Sequence, residues 1–325
     1  MKPFYRSVAL SLAGFTLCAA SAHAQSLPDG KQMRIIVPYS AGGTSDILGR
    51  KLAEQLSQRL GRTVIVENRA GAGGTIGTDA TVRSDPDGTT ILLHSGAIAT
   101  EPAIKAKLPY DVTTDLSAVT TAVRGPFALL VNNDLPAKTV SELVAYAKAN
   151  PDKVNYGTPG IGTSVHFASE LFKSASKAPL THVPYKGASA ALTGLIGGEV
   201  QVVIDPLSTA KKFAESGKVR ALAITTKDRS DLWPGMTTVA ESGVPDFDSA
   251  VWYGLYVPAK TPADTVKSLN EHFVAILKSR EMEKWLSAEG LEAVGNTSKA
   301  SQEQLKSDIE TWKALAQKAG IQPQQ

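Results

Sequence analysis

The chain has 325 residues, 42% of them hydrophobic and 20% charged, enough to bury the cores of two domains of ordinary size. That composition excludes a disordered chain and a simple membrane channel. Lys and Arg number 34 against 31 Asp and Glu, and a formal charge of +3 disfavours nucleic acid as a partner.

Lys2 and Arg6 precede an apolar run over residues 8–20, and Ala22-His23-Ala24 puts small residues at the two positions a signal peptidase inspects. Residues 1–24 therefore read as an export signal, and the apolar run is shorter than the about 20 residues of a membrane span. Removing the signal takes away Lys2 and Arg6 and no acidic residue, which lowers the formal charge from +3 to +1. Cys18, the only cysteine, lies in the same run, and the large Leu17 before it argues against a lipid-modified cysteine. The exported chain then has no cysteine for a disulfide, a nucleophile or a metal site, and a core of this size needs no such staple.

Residues 33–37 form an apolar strand candidate, followed by Pro38-Tyr39-Ser40-Ala41-Gly42-Gly43-Thr44-Ser45-Asp46. Leu48, Leu52, Leu56 and Leu60 then recur at helical spacing over residues 47–60. A second strand over 64–66 leads into Glu67-Asn68-Arg69-Ala70-Gly71-Ala72-Gly73-Gly74, and a third over 90–93 ends at His94-Ser95-Gly96. Loops repeated at strand ends form the crevice side of an open α/β sheet, where ligands bind.

A second unit begins after about residue 125, with a strand over 127–131 and a helix over 140–149 stopped by Asn150-Pro151. Residues 155–164 supply another permissive turn before a helix over 165–171, and an apolar strand over 200–204 ends at Asp205-Pro206. One more strand falls at 219–225. The aromatic-rich Trp252-Tyr253-Gly254-Leu255-Tyr256-Val257 reads as a crossing into another sheet. Residues 264–280 and 302–318 read as helices, with Leu269, Phe273 and Leu277 on one buried face.

No established catalytic pattern is present. Gly71-Ala72-Gly73-Gly74 lacks the G-x-G-x-x-G spacing, and neither it nor residues 157–162 carries a Walker lysine, so no nucleotide cofactor is expected. His94, His166, His182 and His272 are widely separated and form no compact metal set. A hydrolase built on Ser164, His166 and Asp205 would need a geometry that spacing does not supply, and no catalytic residue is assigned.

The loops make sense instead as a carboxylate grip. Thr163 and Ser164 stand where a helix begins, so they either cap it or, with its free N–H groups, hold an anionic oxygen, and both roles can coexist. Thr44, Ser45 and Asp46 pose the same choice, with Asp46 read as an N-cap or loop brace rather than a catalytic acid. His94, Ser95 and Gly96 either line the same crevice or pack locally. Asp205 either caps the next segment or orients the ligand. Arg124 and Lys186 offer charge to a dicarboxylate or remain on the surface, and Tyr39, Trp252 and Tyr253 pack a ligand or a domain boundary.

The motifs Pro38-Tyr39-Ser40-Ala41-Gly42-Gly43-Thr44-Ser45-Asp46, Val66-Glu67-Asn68-Arg69-Ala70-Gly71-Ala72-Gly73-Gly74 and Leu108-Pro109-Tyr110-Asp111 occur in order. So do His182-Val183-Pro184-Tyr185-Lys186-Gly187, Leu222-Ala223-Ile224-Thr225 and Trp252-Tyr253-Gly254-Leu255. With these the chain, from Met33 nearly to its end, resembles the Bug or TctC-like periplasmic solute receptors of tripartite tricarboxylate transport systems. The resemblance implies an α/β, type II periplasmic-binding-protein fold, with two open mixed-sheet lobes and helices around a ligand cleft. It implies lobes at 25–125 plus 252–325 and at 126–251, with the terminal helices packed on the first.

It further implies a ligand site at Ser40, Ala41, Gly42, Gly43, Thr44, Asp46, His94, Ser95, Gly160, Gly162, Thr163, Ser164, His166 and Asp205. Ala41 stands where many relatives carry proline, which leaves the first loop less constrained. The expected protein is a monomeric periplasmic receptor without cofactor or metal. It captures a small organic carboxylate, an aliphatic or aromatic di- or tricarboxylate, and delivers it by lobe closure to separate integral-membrane permease subunits. Two alternatives stand beside it: a receptor of the same fold that signals to a membrane partner, and a secreted serine hydrolase using Ser164, His166 and Asp205.

Overall fold

The structure, a computed structural model, describes residues 27, 28 and 30–323; the expected export signal and Cys18 lie outside the described residues. In the first part of the chain β1 (Met33–Val37), α1 (Thr44–Leu60), β2 (Val64–Asn68), α2 (Thr75–Val82), β3 (Thr90–Ser95) and α3 (Ala97–Ile104) lead into β4 (Leu116–Val131). Next come α4 (Val140–Ala149), β5 (Asn155–Thr158), α5 (Ser164–Ser176), β6 (Thr181–Pro184), α6 (Ala188–Ile196), β7 (Val202–Pro206), α7 (Leu207–Glu215) and β8 (Arg220–Ile224). After them stand β9 (Ala250–Pro258), α8 (Ala263–Leu277), α9 (Arg280–Ala288), β10 (Glu292–Ala293) and α10 (Ser298–Ala319).

Periodicity sets the first layer. Leu48, Leu52 and Leu56 are fully buried on α1 and share a core with Met33, Ile35 and Val37, the alternate residues of β1. Strands β2, β1 and β3 run parallel, β9 lies antiparallel beside β3, and the first part of β4 lies antiparallel beside β9.

β4 belongs to two sheets. Its residues up to Pro126 pair with β9, whereas Phe127 to Val131 pair with β7, and Ala128 to Val131 also with β8. Beyond β7 stand β5 and β6, all three parallel. The sequence pattern marks only the last five residues of β4, 127–131, as a strand. Register shifts between Ala118 and Thr120 and between Thr121 and Val123 break the alternation on which a strand is recognised.

The second crossing runs beside the first. Buried Thr225 pins both: its N–H donates to Phe127 O at 3.0 Å, its hydroxyl accepts the Phe127 N–H at 2.9 Å and donates to Ser249 O at 2.6 Å. The segment expected to cross, residues 252–257, instead lies within β9 in the first sheet, and the chain changes sheets just before Ala250.

Leu269, Phe273 and Leu277 form the expected buried face of α8, while the expected helix over 264–280 ends earlier, and α9 starts after Ser279, whose side chain accepts the Met282 N–H. α10 begins at Ser298 with Thr297 as its cap. It packs on α3 and β4 and also reaches α5, where Trp312 meets Phe167 edge to face at 5.4 Å amid Ala103, Leu315 and Ala316. Among the described residues no helix is long and apolar enough to cross a membrane.

Candidate functional site

The C-terminal ends of β1, β3, β5 and β7 lead into α1, α3, α5 and α7, so loops and helix N-termini gather where the two sheets face each other. In the first loop Gly42 takes φ 89°, a left-handed conformation that a side chain would strain, and Gly43 precedes the helix. Asp46 is buried and braces this loop. Its Oδ2 accepts from Gly42 N–H at 2.9 Å and Arg50 Nε at 3.1 Å, and its Oδ1 accepts from Asn68 Nδ2 at 3.0 Å. Burial pushes the carboxyl up, but Arg50, Gly42 and Asn68 together hold it below its ordinary value. Ser45 is buried with it, whereas Ser40, Ala41, Gly42, Gly43 and Thr44 stay exposed. The N–H groups of Thr44 and Ser45, in the first turn of α1, have no intrahelical partner.

β3 runs two residues further than its apolar run suggested, which places His94 and Ser95 in the strand. His94 is 0% exposed and lies beneath the patch: Nδ1 donates to Ser95 O at 2.7 Å, and Nε2 sits 3.8 Å from Glu101 Oε1 without a hydrogen bond. Burial pushes its pKa down. Ser95 Oγ pairs with the Tyr39 hydroxyl at 2.8 Å, and Tyr253, opposite Ser95 in the ladder, is hydrogen-bonded by the Thr44 side chain. These bonds join residues 40–46 and 94–96 into one patch.

The loop after β5 meets α3, the helix that follows that patch, from the second sheet. Gly162 has φ 83°, and a Cβ there would lie 2.4 Å from Ile104 Cδ1 of α3. Its carbonyl accepts from the Thr100 hydroxyl at 3.3 Å. Thr163 caps α5, its Oγ1 accepting the His166 N–H at 3.2 Å and donating to Gly160 O at 2.9 Å. Half-buried Ser164 opens the helix, so its hydroxyl and the N–H groups of Ser164 and Val165 are the donors of that end.

Behind the loop, His166 Nδ1 accepts the Gly162 N–H at 3.2 Å and its ring stacks on His182 at 4.3 Å. His182 in turn stacks on Tyr156 and is bonded to Thr158 Oγ1 at 2.7 Å. Burial, with Lys173 nearby, pushes His166 down to about 4, and burial with His166 does the same to His182. The sequence reading gave His182 no role, although it opens one of the quoted motifs; its contact with Thr158 and Tyr156 comes from pairing β5 with β6.

Asp205 sits near the end of β7, opposite Ala128 and two rungs from Pro126. It is 2% exposed, its Oδ2 has no hydrogen-bond partner, and burial pushes its pKa up to about 7. Ser164, His166 and Asp205 form no triad, because His166 Nδ1 is engaged by Gly162 and Asp205 Oδ2 by nothing. Arg124 is exposed and lies 3.8 Å from Glu292, Lys186 is exposed, and the Trp252 indole bonds Asp308. Cavities of about 540 and 440 Å³ lie elsewhere, both bordered by α10 and neither by these loops. Among the described residues no group of His, Cys, Asp and Glu is placed to hold a metal.

Two lobes with helix N-termini and glycine loops facing one cleft define the class of periplasmic solute-binding proteins, and the comparisons agree. The chain belongs to the receptor family of tripartite tricarboxylate transporters, whose family model matches residues 48–321. Its relatives are receptors and not enzymes. It is similar to protein BugT of Bordetella pertussis, with 34% identity and 93% of each chain covered. It is also similar to the R. palustris structure of Rpa4515 with adipate, at 33% identity and TM-score 0.79, covering 91% of this chain and 99% of that one. MatC from Rhodopseudomonas palustris with bound malate gives 26% identity and TM-score 0.74, covering 88% of this chain and 99% of that one. The expected family and fold class are therefore those found.

Proposed function

We propose that the protein is a periplasmic receptor that captures a small organic carboxylate, aliphatic or aromatic, between two lobes and delivers it unchanged to integral-membrane permease subunits. The lobes are residues 25–125 with 252–325, and 126–251. The observation that carries this reading is the contact across the two sheets between the capped N-terminal loop of α5 and α3, which follows the Ser95 patch to which the braced N-terminal loop of α1 is tied. The free N–H groups of α1 and α5 attract an anion without a basic side chain. Adipate and malate, bound by two similar proteins, are anions of this kind. The signal over 1–24 supports export, and a ligand that touches both lobes favours the closed form by its greater affinity for that form.

A thermal-shift screen of residues 25–325 against aliphatic and aromatic carboxylates, amino acids and neutral analogues tests this. The expected result is a dose-dependent rise in Tm confined to carboxylates. A cooperatively folded protein that responds only to neutral or cationic solutes would refute the anion grip.

A further inference from the structure

We infer that Asp205 selects, among small carboxylic acids, those that carry a hydrogen-bond donor close to the carboxylate, a hydroxyl or an ammonium group. This rests on the carboxylate-receptor reading and refines it. Asp205 lies at the edge of the second sheet that faces the first: Pro206 is opposite Phe127, and β4 leaves for the first sheet at Pro126. On its other side β7 pairs with β5, Gly157 opposite Val203. The strand that leads into the Gly160 to Ser164 loop is thus the direct neighbour of β7, which carries Asp205 near its end, about 4.8 Å away.

The other acid of the site is committed. Asp46 is bonded by Gly42, Arg50 and Asn68, so it has little capacity left for a ligand. Asp205 is as deeply buried, yet its Oδ2 meets no donor. Above pH about 7, where it is ionised, this orphaned buried acceptor is costly until a donor reaches it, and a second carboxylate brought beside it is repelled, so the acids are compared at about pH 8 to 9. A plain dicarboxylate supplies anionic oxygens for the helix ends and nothing for Asp205. A hydroxy or amino acid supplies both. A site built around such a bond discriminates strongly against an analogue that lacks the donor.

Succinate, malate and aspartate share one diacid frame and differ in that donor. Titration calorimetry with these three and adipate, on the wild type, Asp205→Asn and Asp205→Leu, tests the assignment. Malate or aspartate should bind the wild type roughly 10- to 100-fold more tightly than succinate. The gap should close to a few-fold in Asp205→Leu, and Asp205→Asn should lose affinity for aspartate more than for malate. Equal affinities in the wild type, or discrimination that survives Asp205→Leu, would overturn the inference. If Asp205→Leu does not fold, the near-isosteric Asp205→Asn and the wild-type ratios still decide. Acids that bind without discrimination, or a protein that answers only to carboxylates without a donor, defeat this inference alone; a folded protein that binds none of the four and no other carboxylate of the thermal-shift screen defeats the receptor reading with it.

Discussion

Asp46, in the first turn of α1, and Asp205, near the end of β7, carry the same side chain, and their surroundings give them opposite characters. Three donors lower the first, while burial without a partner raises the second. The brace role of Asp46 was readable because its partners Gly42 and Arg50 are each four residues away. The isolation of Asp205 was not, since it depends on the pairing of β7 with β4 and β5. His94 is similar: most of its strand is legible, but Tyr39 and Glu101, which lie against its ring, are brought there only by the fold. Gly162 makes the sharpest test at this scale, because Ala there needs both a strained φ and room that Ile104 occupies. Gly162→Ala should lower stability by roughly 1–3 kcal/mol and weaken ligand binding. Denaturant unfolding with unchanged midpoint would show that the loop simply shifts.

The helix α5 and the histidines behind it form a unit whose stability depends on pH. His182 titrates near 4 in the folded protein against 6.5 for its ordinary value, so the unfolded chain binds more protons between these limits. Its contribution therefore falls as pH drops from about 6.5 to about 4. Asp205, raised from 3.8 to about 7, has the opposite sign and favours the folded form as pH drops through nearly the same window. His182→Phe should consequently lose less stability than the wild type between pH 7 and 4.5, measured by thermal unfolding; parallel pH profiles would exclude the histidine as a cause. Elements with local signals were legible in advance. α4 matches its expected range because Thr139 caps it and Asn150-Pro151 stops it. β5 was hidden: Asn155, Gly157 and Thr158 have the composition of a turn, and only the neighbouring β6 and β7 make them a strand.

At the scale of the molecule the crossing of β4 at Pro126, the return before Ala250 and the bridge from α10 to α5 connect what lies on either side of the cleft. The bridge could not be read from periodicity, which marks α10 as amphipathic without saying which helices it covers. Trp312→Ala should cost up to about 3 kcal/mol and, in the absence of ligand, enlarge the radius of gyration measured by X-ray scattering. An unchanged scattering curve would remove α10 from the control of lobe position. Two adjacent strands act as a strap, which bends easily and also twists. Attachments set off from that strap, α10 on α5 and the Gly162 loop on α3, oppose the twist, so opening becomes an angular motion in which α5 must slide over α10. The friction at these surfaces, rather than the flexibility of the strap, would then set how quickly a captured solute is let go.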